Sequence, residues 1–379
     1  MKIIFFANTD WYLYNFRRSL ALAAKAAGHD VLLVSPPGPY TEKLAGSGLK
    51  WIPAPMQRRS LNPLRELILL AWLLRLIRSE SADLVHGFTI KCAVYGAVTA
   101  RLAGVARVSA VAGMGYLFIS RDLRALLLRP LVQAAMRVVF GGPRSCLIVQ
   151  NPDDVTFFEA LGVASATRVR LIAGSGVDCA RFRPRATDQR SEPLRVVLAA
   201  RMLWDKGISE YVEAGTLLRA ENRAVTFVLA GEPDPGNPAA IPESALRDWQ
   251  ARGIVEWLGH VDDMPALLAG ADIVVLPSYR EGLPKSLIEA AACGRPLVTS
   301  DVPGCRHVVR DGVDGLLVPP RDAPALARAI ARLQDDPCLA RKLGRAARAR
   351  ASNEFDERIV IEKTIAIYDE LMTARGAVV

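Results

Sequence analysis

ADIVVLP at 271–277 runs directly into SYREGLPKSLIEAAACGRPLVT at 278–299. The first stretch is an apolar strand and the second opens a helix. Glu281 and Glu289 stand eight positions apart. At about 3.6 residues per turn they do not share one helix stripe. Glu281 is expected in the loop at the strand's carboxyl end, and Glu289 about two turns down the helix. Gly282 lets the backbone approach a ligand closely. Pro284 is expected in the first helical turn, where it fixes the helix start. The N–H groups and dipole of that start face the crevice in which open α/β sheets take ligands, and a phosphate fits there. A carboxylate beside it can accept hydrogen bonds from sugar or ribose hydroxyls. Taken alone, the E-x7-E spacing also describes an ordinary strand–loop–helix with solvated acids.

Outside this stretch the chain alternates β and α. KIIFFAN (2–8) reads as a buried strand, TDWYLYN (9–15) as an aromatic loop, and Phe16 to Ala27 as a helix closed by Gly28. Strands follow at VLLVSP, WIPAP, ADLVHGF (82–88), RVSAVAG (107–113), CLIVQN (146–151) and RVRLIAG (168–174), with helices near 40–47, from Cys92 and from Asp122. The polar, proline-bearing run RPRATDQRSEP (183–193) reads as a linker. A second series comprises LRVVLAA, a helix after Lys206, VTFVLAG, a helix near 243–252, IVEWLGH, a short helix, ADIVVLP, the helix described above, PLVTS and GLLVPP. Helices then run to the end. The pattern predicts an α/β protein of two doubly wound, Rossmann-like domains facing a central cleft. The expected boundaries are 1–185, 186–355, and a final helix over 356–379 that packs back toward the first domain.

The 379 residues are 51% hydrophobic and carry a net charge of +9. Residues 1–170 hold 21 Lys+Arg against 10 Asp+Glu, or +11, leaving 27 against 29 for the remainder, or −2. The basic excess favours an anionic partner for the first half. Cys92, Cys146, Cys179, Cys293, Cys305 and Cys338 form no C-x-x-C pair and are expected as free, mostly buried thiols. The apolar run after Lys2 ends at Asn8, Thr9 and Asp10, too soon for a secretory signal. Neither half has G-x-G-x-x-G after its first strand, no Walker A or D-x-D motif occurs, and the histidines lack ligand spacing. No metal and no cofactor is expected.

The first strand of the second series ends at Arg201, and Lys206-Gly207 opens the next helix. Two cations at one strand end beside a helix start make a diphosphate clamp, although surface cations of no special role would look the same. R-x4-K (Arg201, Lys206) followed by E-G-x6-E (Glu281, Gly282, Glu289) resembles the retaining glycosyltransferases of GT-B fold, family 4. GSGVD with Arg181-Phe182 (174–182) and LGHVDDMPALL (258–268) resemble that family's pre-linker segment and nucleoside-binding loop. The resemblance implies that Arg201 and Lys206 hold the donor diphosphate and that His260-Val261 meet the base. It implies that Glu281 contacts the donor sugar, that the backbone of Gly282, Leu283 and Pro284 lies near phosphate or sugar, and that Glu289 binds ribose. Glu281, Lys206 and Arg201 are the expected catalytic set.

WYLYNFR (11–17), HGFTIKCAVYG (86–96) and AGMGYLF (112–118) look more narrowly like bacterial transferases that extend sugars on undecaprenyl diphosphate. Here Cys92 replaces a proline usual in that group, and the 112–118 loop lacks the histidine many members place there. Arg17, Arg18, His86, Lys91, Gly115 and Tyr116 are the expected acceptor-binding residues. His86 is as readily structural.

Residues 58–78 (RRSLNPLRELILLAWLLRLIR) combine leucines with arginines at both ends and read as a helix lying in a membrane interface. Residues 121–144 share this character and fit a core helix equally well. Nucleic acid has neither a recognition motif nor a stacking platform here. The sequence thus implies a peripheral enzyme on the cytoplasmic face of the inner membrane. It would move an N-acetylhexosamine or hexose from a nucleotide sugar, UDP foremost, to a saccharide on a polyprenyl diphosphate in surface-glycan assembly. A soluble acceptor, a nucleotide-sugar epimerase of similar fold, and a donor-binding protein without turnover are the alternatives.

Overall fold

The computed structural model describes residues 1–58, 60, 62–111, 134–160, 162, 168–185 and 190–373. The chain forms two compact units: one runs to Ser175 and resumes at Val360, and the other spans Gly176–Ile359.

The first unit is a seven-stranded sheet in the order β3-β2-β1-β4-β5-β6-β7. Its strands are β1 (Lys2–Phe6), β2 (Asp30–Ser35), β3 (Lys50–Pro53), β4 (Leu84–Phe88), β5 (Ala106–Ala110), β6 (Ser145–Val149) and β7 (Val169–Leu171). All pair in parallel; Ile3 lies opposite both Val31 and Leu84. A parallel strand covered on both faces must be apolar throughout, and Ile3, Ile4, Phe5 and Phe6 are all fully buried. The helix Pro63–Ser79 covers one face with Leu69, Leu73 and Ile77. On the other face Leu20, Ala21 and Ala24 share a core with Val360, Ile367, Tyr368 and Leu371 of the last helix, Glu357–Thr373.

Two elements differ from expectation. The segment read as an aromatic loop is helical from Asp10, because the Thr9 hydroxyl accepts from the Tyr12 N–H at 3.1 Å, and a π-turn over Leu13–Arg17 leads into Arg18–Ala26. A helix over Pro152–Ala160, not anticipated, starts where Asn151 Oδ1 accepts from the Asp154 N–H at 2.8 Å. The helix expected from Asp122 lies outside the described residues.

The second unit is a six-stranded sheet in the order β10-β9-β8-β11-β12-β13. Its strands are β8 (Leu194–Ala199), β9 (Val225–Ala230), β10 (Glu256–Trp257), β11 (Ile273–Leu276), β12 (Leu297–Ser300) and β13 (Leu316–Val318). Residues 176–185 belong to this unit. Val177 bonds to Phe355, and Arg348 donates to the Cys179 and Phe182 carbonyls at 2.9 and 2.8 Å. Strand order reverses between β1 and β4 in one sheet and between β8 and β11 in the other. Such switch points are where doubly wound sheets open a crevice at their carboxyl ends. Among the described residues no helix is long and apolar enough to cross a membrane.

Candidate active site

β8 ends at Ala199, and the chain passes Arg201 into a short 3-10 turn, Trp204–Lys206. Gly207 follows in the left-handed region (φ +72°) and starts the helix Ile208–Ala220. A Cβ on Gly207 would lie 2.0 Å from the Pro277 carbonyl oxygen, so only glycine lets these two loops touch. The Ser278 hydroxyl and Tyr279 N–H both donate to the Asp205 carbonyl, at 3.0 and 2.9 Å. The Tyr279 hydroxyl donates to Glu210 at 2.7 Å, and burial beside that carboxylate pushes it up to about 12. Arg321 lies 4.5 Å over the Tyr279 ring. Gly304 closes the loop from the far side: a Cβ there would lie 2.5 Å from the Glu281 carbonyl oxygen.

The stitching brings Lys206 Nζ to 2.5 Å from Glu281 Oε1, with side chains only 19% and 12% exposed. Arg201, half exposed, pairs with Asp234 Oδ2 at 2.7 Å. The following helix is Lys285–Ala292, so Pro284 is the extended residue before it and not part of its first turn. Glu289 therefore sits about one turn in, not two. Burial holds the Glu289 carboxyl above its ordinary range, with Lys285 (Nζ at 3.8 Å) and Arg181 pulling the other way.

The His260 loop reaches the same edge of the sheet. Gly231, at the end of β9, donates to the Gly259 carbonyl at 2.7 Å, and a Cβ on Gly231 would strike the Ala200 carbonyl at 1.9 Å. His260 is half exposed, 3.3 Å from Asp262, and Val261 is half-buried beside it. The expected donor residues other than Glu289 thus come from loops and turns of the second unit, and Glu289 from the helix that follows one of them. Ser278, Tyr279, Asp234 and Gly304 have no counterpart in the sequence reading, because each acts through a contact distant in the chain.

The acceptor set lies in the first unit and is more enclosed. His86, 1% exposed, shares a hydrogen bond of 2.6 Å between Nδ1 and the Tyr368 hydroxyl, and its Nε2 has no partner. Burial, with Arg17 nearby, keeps it neutral well below the usual histidine range. Arg17 is 5% exposed; its guanidinium donates to Tyr12 Oη at 3.0 Å and lies 4.6 Å over Phe88. Lys91 is held by Glu66 at 2.8 Å and by the Gln57 and Ser60 carbonyls. Arg17 and Lys91 are therefore not exposed cations, whereas Arg18 is half-buried over Tyr14. Gly115 and Tyr116 lie outside the described residues. Five cysteines are buried and Cys338 is exposed; all are free.

Two doubly wound parallel sheets, one with charged groups gathered at its switch point, define the GT-B class of transferases. Residues 193–336 match the family of group 1 glycosyl transferases and residues 2–141 the glycosyl transferase 4-like family; the chain belongs to these glycosyltransferases. It is 29% identical, over 98% of its length and 99% of the other's, to the N,N'-diacetylbacillosaminyl-diphospho-undecaprenol alpha-1,3-N-acetylgalactosaminyltransferase of Campylobacter jejuni. In fold it is similar to sucrose-phosphate synthase from Thermosynechococcus elongatus (TM-score 0.78, 21% identity, 99% and 100% of the two chains). It is also similar to Anabaena HepE in complex with UDP (TM-score 0.76, 21% identity, 98% and 100%).

Proposed function

We propose that this glycosyltransferase is a retaining enzyme that moves an N-acetylhexosamine or hexose from a UDP-sugar to a saccharide carried on a polyprenyl diphosphate. The observation that carries this reading is the Lys206–Glu281 pair, mostly shielded from water at the switch point between β8 and β11. Fixed positive charge in such a place is worth most where negative charge develops. As the acceptor hydroxyl attacks the anomeric carbon, the bond to the diphosphate breaks and charge collects on the leaving oxygen. Lys206 and Arg201 stabilise that charge, and the leaving phosphate takes the acceptor's proton on the same face. Glu281 orients the sugar and does not attack it. Glu289 accepts from ribose hydroxyls, the His260–Val261 backbone meets the base, and no metal or cofactor is needed.

Two similarities favour the donor and acceptor classes: the Campylobacter relative is named for a diphospho-undecaprenol acceptor, and HepE was solved with UDP. Membrane association at the cytoplasmic face is part of the same reading. On the helix Pro63–Ser79, Leu64, Leu67 and Ile68 are 70%, 62% and 62% exposed, flanked by exposed Arg65, Arg75 and Arg78. An apolar stripe edged by arginines suits an anionic bilayer surface.

The test is thermal unfolding with UDP, GDP, ADP and NAD, paired with transfer assays. UDP at about 100 times its dissociation constant should add roughly 2.7 kcal/mol of stability. Lys206→Ala should abolish that gain and slow transfer at least about tenfold. Wild-type turnover in Lys206→Ala, or no response to any nucleoside diphosphate, would remove the diphosphate clamp.

A further inference from the structure

Tyr279 is tied to the Lys206 segment on both sides of Lys206. Its N–H donates to the carbonyl of Asp205, the residue just before Lys206, at 2.9 Å. The neighbouring Ser278 hydroxyl donates to the same carbonyl at 3.0 Å. The Tyr279 hydroxyl donates to the Glu210 carboxylate, 2.7 and 2.9 Å from its two oxygens. Glu210 lies in the first turn of the helix Ile208–Ala220, which follows Lys206. Two residues beyond Tyr279, Glu281 meets Lys206. A third loop holds the ring. Arg321 comes after β13 and two prolines, and its guanidinium carbon lies 4.5 Å from the centre of the Tyr279 ring. Arg321 is in left-handed backbone (φ +62°), which residues with a Cβ adopt only at a cost. The next residue, Asp322, accepts from the Ala325 N–H at 2.8 Å and caps the helix Ala323–Asp335. The guanidinium is thus presented to the ring from the start of a helix.

Holding the two loops together does not require the hydroxyl. The main-chain bonds at Asp205 and the approach of Gly207 to Pro277 already do so. Tyr279 and Glu210 are both half-buried, so water can serve either group. Contacts confined to one stretch of backbone still let that turn pivot. A bond about one turn further along, at Glu210, fixes its orientation as well. Burial and the bond to Glu210 push the Tyr279 hydroxyl up to about 12, so it stays a donor at any working pH.

We propose that Tyr279, braced by Glu210 and Arg321, is a positioning residue that sets the orientation of Lys206 toward the donor diphosphate. This role rests on the proposed diphosphate clamp and acts through it. Displacing a group that holds the reactants by about 1 Å can cost about 100-fold, so a brace of this kind has an effect beyond the strength of its own bonds.

The test measures UDP affinity by calorimetry, with urea unfolding of each variant so that affinity refers to folded protein. The variants are Tyr279→Phe, Glu210→Ala, their combination, Glu210→Gln, Arg321→Ala and Lys206→Ala. Tyr279→Phe and Glu210→Ala should each weaken UDP binding about tenfold. Their combination should be no worse than the weaker of the two, because both remove one bond. Glu210→Gln keeps an acceptor for the hydroxyl and should restore wild-type affinity, a rescue that a loss of stability alone would not produce. Arg321→Ala, which frees the ring but spares the bond, should cost about threefold. Wild-type UDP affinity in Tyr279→Phe, with binding lost in Lys206→Ala, overturns the brace and leaves the clamp standing. Additive losses in the combination, or Glu210→Gln as weak as Glu210→Ala, overturn the brace too. Wild-type UDP affinity in Lys206→Ala removes the clamp, and the brace falls with it.

Discussion

The two sheets reverse their strand order at equivalent places, yet they treat polar groups there in opposite ways. At β8/β11 the charged groups are paired with carboxylates: Lys206 with Glu281, mostly shielded from water, and half-exposed Arg201 with Asp234. Backbone contacts through Gly207, Gly231 and Gly304 hold the loops together there. At β1/β4 the side chains themselves are the mortar. His86, Tyr368 and Arg17 are sealed among Phe5, Tyr12 and Phe88, and buried His86 Nε2 and Arg17 Nε go without partners. The same architecture therefore joins its loops through glycine backbone contacts at one switch point and through aromatic and polar side chains at the other.

The largest effect should come from filling a glycine. Gly207→Ala places a methyl group 2.0 Å from the Pro277 carbonyl and keeps a positive φ. Left-handed backbone and overpacking together cost about 2–5 kcal/mol. Urea unfolding should register that loss, along with slower transfer as the Lys206 and Glu281 loops separate. Wild-type stability would mean that the loops are not in contact.

The fixed cluster predicts a smaller change and no direct effect on UDP affinity. Tyr368→Phe leaves His86 Nδ1 buried without a partner, which costs about 1–3 kcal/mol. A histidine kept neutral by burial, in a chain that takes up a proton near 6.5 when unfolded, contributes stability that is whole above that pH and lost as pH falls below it. His86→Gln should flatten that acid slope. An unchanged slope would show that His86 is protonated within the fold, and lost UDP binding in Tyr368→Phe would end the contrast between the two regions.

The sequence makes the frame of both regions readable and leaves their contacts out of sight. Alternation of apolar runs with helices marks the strands, because buried parallel strands must be apolar end to end. Arg201, Lys206, Glu281 and Glu289 stand out because charge at strand ends is conspicuous. Gly304 and Asp234 do not, since neither the approach of Gly304 to Glu281 nor the pairing of Asp234 with Arg201 leaves a mark in local sequence. The Pro152–Ala160 helix did leave one: Asn151 before Pro152 is an N-cap followed by a first-turn proline. Residues 9–15 misled because aromatic content suggests a binding loop, while Thr9 supplies a cap.

Glu289 tests whether the proposed donor site carries a cost in the absence of ligand. Its carboxyl is raised above the ordinary value of 4.5 because burial disfavours the charge more than Lys285 and Arg181 favour it. For a carboxyl raised in the folded state, stability declines as pH climbs from the unfolded toward the folded value, and above that the full cost of the buried charge persists. Glu289→Gln keeps the shape and removes the charge. The ligand-free variant should therefore unfold at a higher temperature than the wild type at neutral pH, with the difference closing as pH falls toward 4.5. UDP should bind roughly fivefold more weakly, since a neutral acceptor replaces a charged one at the proposed ribose contact. Higher stability with unchanged UDP affinity would leave Glu289 a buried acid outside the site, and lower stability would show that Lys285 and Arg181 outweigh its burial.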